Sequence, residues 1–165
     1  MFFRIKKIKG KEYVYIVENE WKGKKGSRQK VKSYLGRAFR FQLKNDISFM
    51  DFLKIENYEA YIKDNKKNKI IKNLVEWEIY KFGISADSID LDNFEFKKSK
   101  KTIVFLINEG FMCNLTLKNL IKIDSEIDGY NLARSFIEAG IKVPQEVFIG
   151  IFGKISKNDD NSKSI

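Results

Sequence analysis

The chain has 165 residues, enough for one ordinary domain or two small units, and its 43% hydrophobic and 14% aromatic content supplies a core. Thirty-two Lys and Arg against 22 Asp and Glu give a net charge of +10, a bias toward polyanionic partners. With no His, every mechanism that needs an imidazole is excluded, and the single Cys113 removes disulfide frameworks and thiolate zinc sites.

The first 44 residues read as a basic β-meander. They hold 14 of the Lys and Arg against three acids, a local charge of +11 that leaves the rest of the chain at −1. Charge segregated this sharply suggests one face or module built for a polyanion. Phe2 to Ile8 is an irregular first strand ending at the turn Lys9-Gly10-Lys11. Tyr13 to Glu20 is the second, with Tyr13, Tyr15 and Val17 alternating against Val14, Ile16 and Glu18. Trp21 to Ser27 carries two glycines and three lysines, the composition of an exposed loop. Arg28 to Leu35 is the third strand, ending at Gly36. Strict alternation puts Val31, Ser33 and Leu35 on one face and Arg28, Lys30, Lys32 and Tyr34 on the other. Three cations about 6.6 Å apart can track a phosphate backbone. The loop lysines Lys22, Lys24 and Lys25 and the nearby Arg37 back them, and Trp21 or Tyr34 is available to stack on a base.

Residues 45–155 are expected to form a mainly helical body with a β-hairpin near 94–107. Asn45 or Asp46 can cap a short helix running to about Lys54. A longer helical region follows from Asn57 to Phe82, interrupted by the polar patch Lys63 to Lys69 and closed by Gly83. Asp87, Asp90 and Asp92 lack the glycine and the twelfth-position Glu of a calcium loop and read as a solvated turn. Phe94 to Phe96 and Thr102 to Ile107 flank the lysines of 97–101 as a hairpin; those four lysines are a candidate second contact, although their neighbours are acidic and a turn explains them equally, and Asn108-Glu-Gly110 is another turn. Asn114 or Thr116 can cap a helix to Ile123. Glu126 to Ala139 and Pro144 to Ile155 carry apolar stripes at i, i+3, i+4 spacing and predict a C-terminal helical hairpin. If Phe148 and Phe152 stay exposed, they make a partner surface. Residues 156–165 are polar and expected to be disordered.

No phosphate-cradling glycine motif, nucleophile–base pair or metal-ligand spacing is present, so no enzyme and no cofactor are expected. Cys113 has no activating base and reads as a buried thiol. No apolar run approaches the roughly 20 residues of a membrane-spanning helix, and the start lacks a signal peptide's apolar stretch. A soluble, cytoplasmic protein is expected.

The stretch Lys11 to Arg37 contains Tyr-Val-Tyr-Ile-Val-Glu, a Gly/Lys loop and Arg-Gln-Lys-Val-Lys-Ser-Tyr-Leu-Gly-Arg. It resembles the N-terminal β-hairpin segment of insertion-sequence transposases and the leading segment of some archaeal Fic-domain proteins. The resemblance implies an accessory, nucleic-acid-facing segment. It implies neither activity, because the catalytic His of the Fic signature is missing and a DDE-type domain is longer than this chain; Asp128 to Arg134 only echoes the Fic turn.

Together these features predict an α+β protein: an N-terminal three-stranded antiparallel β-meander, central helices, a second β-hairpin and a C-terminal helical hairpin. The expected function is non-enzymatic binding of DNA or RNA through Trp21, Lys22, Lys24, Lys25, Arg28, Lys30, Lys32, Tyr34 and Arg37. The alternatives are a protein-interaction adaptor docking through its C-terminal helices and, less favoured, a metal-dependent nuclease using carboxylates.

Overall fold

A computed structural model describes residues 1–23, 26–85, 89–123 and 128–157. Lys24, Lys25, Asp87, Glu126 and the chain beyond Lys157 lie outside the described residues, and with them parts of the predicted loop, turn and tail. Among the described residues the protein is mixed α/β, with six helices and a seven-stranded sheet. No helix among them is long and apolar enough to cross a membrane.

The strands β1 (Phe2–Ile8), β2 (Lys11–Trp21) and β3 (Ser27–Arg40) run antiparallel in chain order. The β1–β2 turn is two residues long, with Lys9 and Gly10 both at positive φ, the conformation that matches the twist of the flanking strands. Two short helices, α1 (Phe49–Leu53) and α2 (Tyr58–Asp64), and a longer one, α3 (Lys67–Lys81), follow. The first is capped by Ser48, whose hydroxyl accepts from Asp51 N, and not by the expected Asn45 or Asp46. Asn45 is engaged elsewhere: its side chain donates to Tyr80 O at 2.8 Å, and the backbone N–H groups of Lys44 and Asn45 both reach Lys81 O. The end of α3 thus anchors the chain that leaves β3.

The sheet then resumes with β4 (Ile89–Asp90), β5 (Glu95–Lys98), β6 (Lys101–Ile107) and β7 (Gly110–Met112). The β5–β6 hairpin turns at Ser99-Lys100, both at positive φ, so its strands take in Lys97, Lys98 and Lys101 and the turn is shorter than the expected 97–101. The main departure from expectation is that β6 lies parallel to β3, pairing Arg37 with Ile103 and Arg40 with Leu106. The meander is therefore continuous with the later strands in one sheet of order β1-β2-β3-β6-β5-β4, with β7 on β6. Gly36 makes this approach possible: its φ is +149°, and a Cβ there would sit 2.6 Å from Thr102 O.

Three helices complete the chain: α4 (Asn114–Lys122), α5 (Gly129–Glu138) and α6 (Gln145–Lys157). The N-cap position of α4 falls at Cys113, with the Thr116 hydroxyl accepting from Cys113 N; Asn114 instead accepts from Phe96 N at 2.7 Å and ties β5 to this helix. Asp128 caps α5 by accepting from Asn131 N, which accounts for the Asp128–Arg134 stretch as a helix start.

Two apolar clusters hold these layers together. The larger joins α3 to α6 with Phe96, Ile103, Phe105, Ile107 and Met112 on one face of the sheet. The smaller lies on the opposite face and contains Val14, Ala38, Val104, Leu106 and Cys113, with Phe3, Ile5 and Phe111 against them. Strands β1 and β7 are four positions apart, about 19 Å in a flat sheet. Yet the Phe3 and Phe111 rings stack at a 4.5 Å centroid distance. The sheet is therefore curled around the small cluster, which defines a concave inner face and a convex outer one.

A buried polar knot fastens the helical layer. Glu78 of α3 is fully buried and accepts from Asn108 Nδ2 (2.9 Å), from Lys142 N (2.8 Å) and from Lys81 Nζ (3.0 Å). Lys81 Nζ also sits 3.7 Å from the centre of the Trp77 ring.

Candidate nucleic-acid interface

Cross-strand partners share a face of a sheet, so the pairing register assigns each side chain of β1–β3 to the inner or outer face. Across β1 and β2 the outer face receives Arg4 opposite Tyr15, and Lys6 opposite Tyr13. On β3 the partners are Tyr34 opposite Tyr15 and Arg37 opposite Tyr13. The inner face receives Lys30 opposite Glu18, Arg28 opposite Glu20 and Lys7 opposite Glu12.

The predicted grouping of Tyr34 with the Arg28–Lys30–Lys32 stripe does not occur. Two register shifts, between Val14 and Tyr15 and between Ile16 and Val17, leave Leu35 and Lys32 as extra residues of β3. Such bulges reset the alternation. Tyr34 consequently lies on the outer face, while Lys32 turns inward and pairs with Glu18 at 2.7 Å. The Glu18 carboxyl is held below the usual carboxylate range by its hydrogen bond to Lys32. The stripe thus has a glutamate directly across from both Arg28 and Lys30, and its third member is ion-paired.

All three carboxylates of β1–β3 fall on the inner side. Glu12 makes a two-pronged contact with Arg40, Nε to Oε2 at 2.7 Å and Nη2 to Oε1 at 3.2 Å. The Arg40 guanidinium holds the Glu12 carboxyl below its ordinary value, mainly through that hydrogen bond. No carboxylate of these strands reaches the outer face, and its cations keep their charge uncompensated from within the meander.

The centre of the outer face is aromatic. Tyr34 is 50% exposed, with Tyr15 at 5.3 Å and Tyr13 at 6.3 Å between ring centroids, tilted by 51° and 44°. Lys6 Nζ lies 5.1 Å from the centre of the Tyr15 ring, leaving Tyr34 as the more open of the two platforms. Partial burial, reinforced by Tyr15 and Tyr13, pushes the Tyr34 hydroxyl pKa up, so it stays a protonated donor. Arg4 donates to Gln29 across β2, and Val17, whose register position lies between theirs on this face, is buried.

The same face continues into the later strands through the parallel β3–β6 pair. Phe39 receives Arg37 Cζ at 4.8 Å and Lys98 Nζ at 5.5 Å from its ring centre. A hollow of about 150 Å³ opens beside it, lined by Phe39, Phe41, Ile84, Lys98 and Phe105 among others. Lys98 belongs to the lysine run of 97–101, and the parallel pairing of β3 with β6 brings it beside Arg37.

Of the residues expected to bind, then, Tyr34 and Arg37 share the outer face with Trp21, which is 75% exposed near the hairpin tip. Trp21 lies six residues along β2 from Tyr15, about 20 Å from the tyrosine cluster, so it cannot stack with Tyr34 on one base. Lys22, next to Trp21, is exposed and its N–H closes the tip onto Gly26 O at 2.9 Å. Arg28, Lys30 and Lys32 occupy the inner side. Arg4, Lys6, Tyr13, Tyr15 and Phe39 were not among the expected contacts, although Arg4 and Lys6 alternate with Phe3 and Ile5 as a strand face should.

The other residues singled out in the sequence are placed as follows. Asp90 accepts from Asp92 N, Asn93 N and Asn93 Nδ2, a self-contained turn, and Asp92 pairs with Lys72. Among the described residues no group of three potential metal-binding side chains exists. Cys113 is buried, and burial pushes its thiol pKa up, away from a reactive thiolate. Phe148 and Phe152 are half-buried against the large cluster and so do not form the exposed pair that would make a partner surface. A scan against family models finds no match, and searches of curated proteins and of solved structures return no significant similarity, so none of the three bears on the resemblance over residues 11–37.

Proposed function

We propose that the chain is a non-enzymatic nucleic-acid-binding protein, acting on DNA or RNA through the outer face of β1–β3. The observation that carries this reading is the sorting of charge. The three acids of the meander go to the concave side, while Arg4, Lys6 and Arg37 surround tyrosines on the convex side. Neutral sheet surfaces need no such separation, and an aromatic platform ringed by cations suits a ligand made of bases and phosphates. The inner stripe of Arg28, Lys30 and Lys32 contributes less, because Glu18 and Glu20 lie across from it.

The test compares two triple alanine variants by fluorescence titration across a salt series. Removing Arg4, Lys6 and Arg37 is expected to lower the slope of log K against log salt by about 2, at roughly 0.7 to 0.9 per phosphate contact. Removing Arg28, Lys30 and Lys32 is expected to lower it by less. Unchanged affinity and slope in the first variant would reject the outer face as the binding surface.

A further inference from the structure

Resting on the nucleic-acid reading, we infer that the ligand of the outer face is a single strand, with an unpaired base stacked on Tyr34 and its backbone led toward Arg37 and Lys98. Two observations and one property of duplexes carry this. The exposed ring of Tyr34 stands on the convex face of the sheet, where an unpaired base can lie flat against it. In a duplex the ring faces of the bases are hidden in the stack, so such a platform has nothing to meet except at an end. The cations occupy the margins of the aromatic patch: Arg4 and Lys6 on β1, Arg37 and Lys98 on the other flank beside Phe39.

The ring arrangement also favours one base over another platform residue. Lys6 already lies over Tyr15, and the Tyr13 and Tyr15 rings are tilted toward Tyr34, bracing it against rotation. Phosphates on either side of a base on Tyr34 then fall toward cations on both flanks. The patch spans β1 through β5, four strand spacings or about 19 Å. That length suits the short end of known single-strand site sizes, roughly four nucleotides.

The projecting end of the β2–β3 hairpin is the competing surface. Its residues 18–21 and 27–30 extend beyond the Phe2–Val17 pair where β1 begins, and a two-stranded ribbon of this kind can enter the major groove of a duplex. Glu18 and Glu20 on that ribbon oppose its arginine and lysine, whereas the tyrosine platform carries no acid of these strands.

The experiment measures anisotropy of a labelled oligothymidylate of about 15 nucleotides and of a duplex of equal length, with wild-type protein and with Tyr34→Ala and Tyr34→Phe. The single strand is expected to bind at least about tenfold more tightly than the duplex. Tyr34→Ala should weaken single-strand binding roughly 5- to 150-fold with the salt slope unchanged, because a stacking surface and no charge is removed. Tyr34→Phe should retain wild-type affinity, and its circular dichroism and thermal melt, with those of Tyr34→Ala, register any loss of fold. Equal affinity for the duplex, or an Ala variant that folds and binds as wild type, overturns this inference while leaving the nucleic-acid reading in place. Failure of both probes to bind wild-type protein at about 0.1 M salt overturns that reading itself.

Discussion

Replacing Glu78 by Gln tests the buried knot of α3 with the smallest available change of shape. The two carboxylate oxygens are both used as acceptors: Oε1 takes the Lys142 N–H, and Oε2 takes Asn108 Nδ2 together with Lys81 Nζ. A glutamine offers one acceptor and one donor end. Whichever way its amide is turned, a donor faces donors, either the Lys142 N–H alone or both Asn108 and the Lys81 ammonium. The ammonium also loses its counter-charge while it remains buried. An unsatisfied buried donor costs about 1–3 kcal/mol, and breaking a buried ion pair from one side costs about 3–5 kcal/mol. The overlapping terms place the expected loss near 3–5 kcal/mol, a large part of the roughly 5–15 kcal/mol that holds a domain folded. For a chain of this size that is a melting point lower by about 10 °C. Urea unfolding followed by tryptophan fluorescence measures it, since Trp77 lies beside Lys81. Asp92→Asn is the control: its ion pair with Lys72 is at the surface and should contribute less than about 1 kcal/mol. A Glu78→Gln variant within about 1 kcal/mol of wild type would refute the claim that the three donors depend on a charged acceptor.

Gly36→Ala is expected to lose about 1–3 kcal/mol or more, because the backbone is at φ +149° and the new methyl meets Thr102 O, whereas Gly10→Ala, with open space around it, should lose less; chemical denaturation of the two variants checks the order. The carboxyls of Glu12 and Glu18 are both held below 4.5 by Arg40 and Lys32, so their stabilising contribution is full above about pH 4.5 and is lost as pH falls through the lowered folded-state values. Thermal melts from pH 6 to pH 3 should show this decline, shallower in a Glu12→Gln/Glu18→Gln variant. Cys113 should resist a thiol reagent at pH 8 on the timescale in which urea-unfolded protein reacts fully; rapid labelling of the native state would contradict its burial.

The local features of this fold were readable because they depend on neighbours in sequence. The alternation of β2, the Lys9-Gly10 turn and the break between α2 and α3 each rest on a few consecutive residues. What failed was parity over a longer strand. Nothing in Lys30-Val-Lys-Ser-Tyr34 announces a bulge at Lys32, because whether a strand carries an extra residue is decided by the register of its partner. That one slip moved Tyr34 from the inner stripe to the outer face. Gly36 did carry a signal, since a glycine within a strand pattern marks a bulge or a close backbone approach. Taken as a terminator, it concealed the parallel partner, and with it the reason Lys98 belongs beside Arg37. Asn45 and Asn114 illustrate the same limit: each has the chemistry of a helix cap, and each is diverted to a backbone group far along the chain.

The parallel pairing of β3 with β6 also has a kinetic consequence. Hairpins such as β1–β2 and β2–β3 close on the order of microseconds, while joining Arg37 to Ile103 requires the closure of a far longer loop and is expected to be the slower event. A chain emerging from synthesis would then display its tyrosine platform before Lys98 arrives to complete the cationic margin. A ligand that bridges Tyr34 and Lys98 would favour the docked arrangement, and saturating amounts of it would slow unfolding of the junction between the two halves of the sheet.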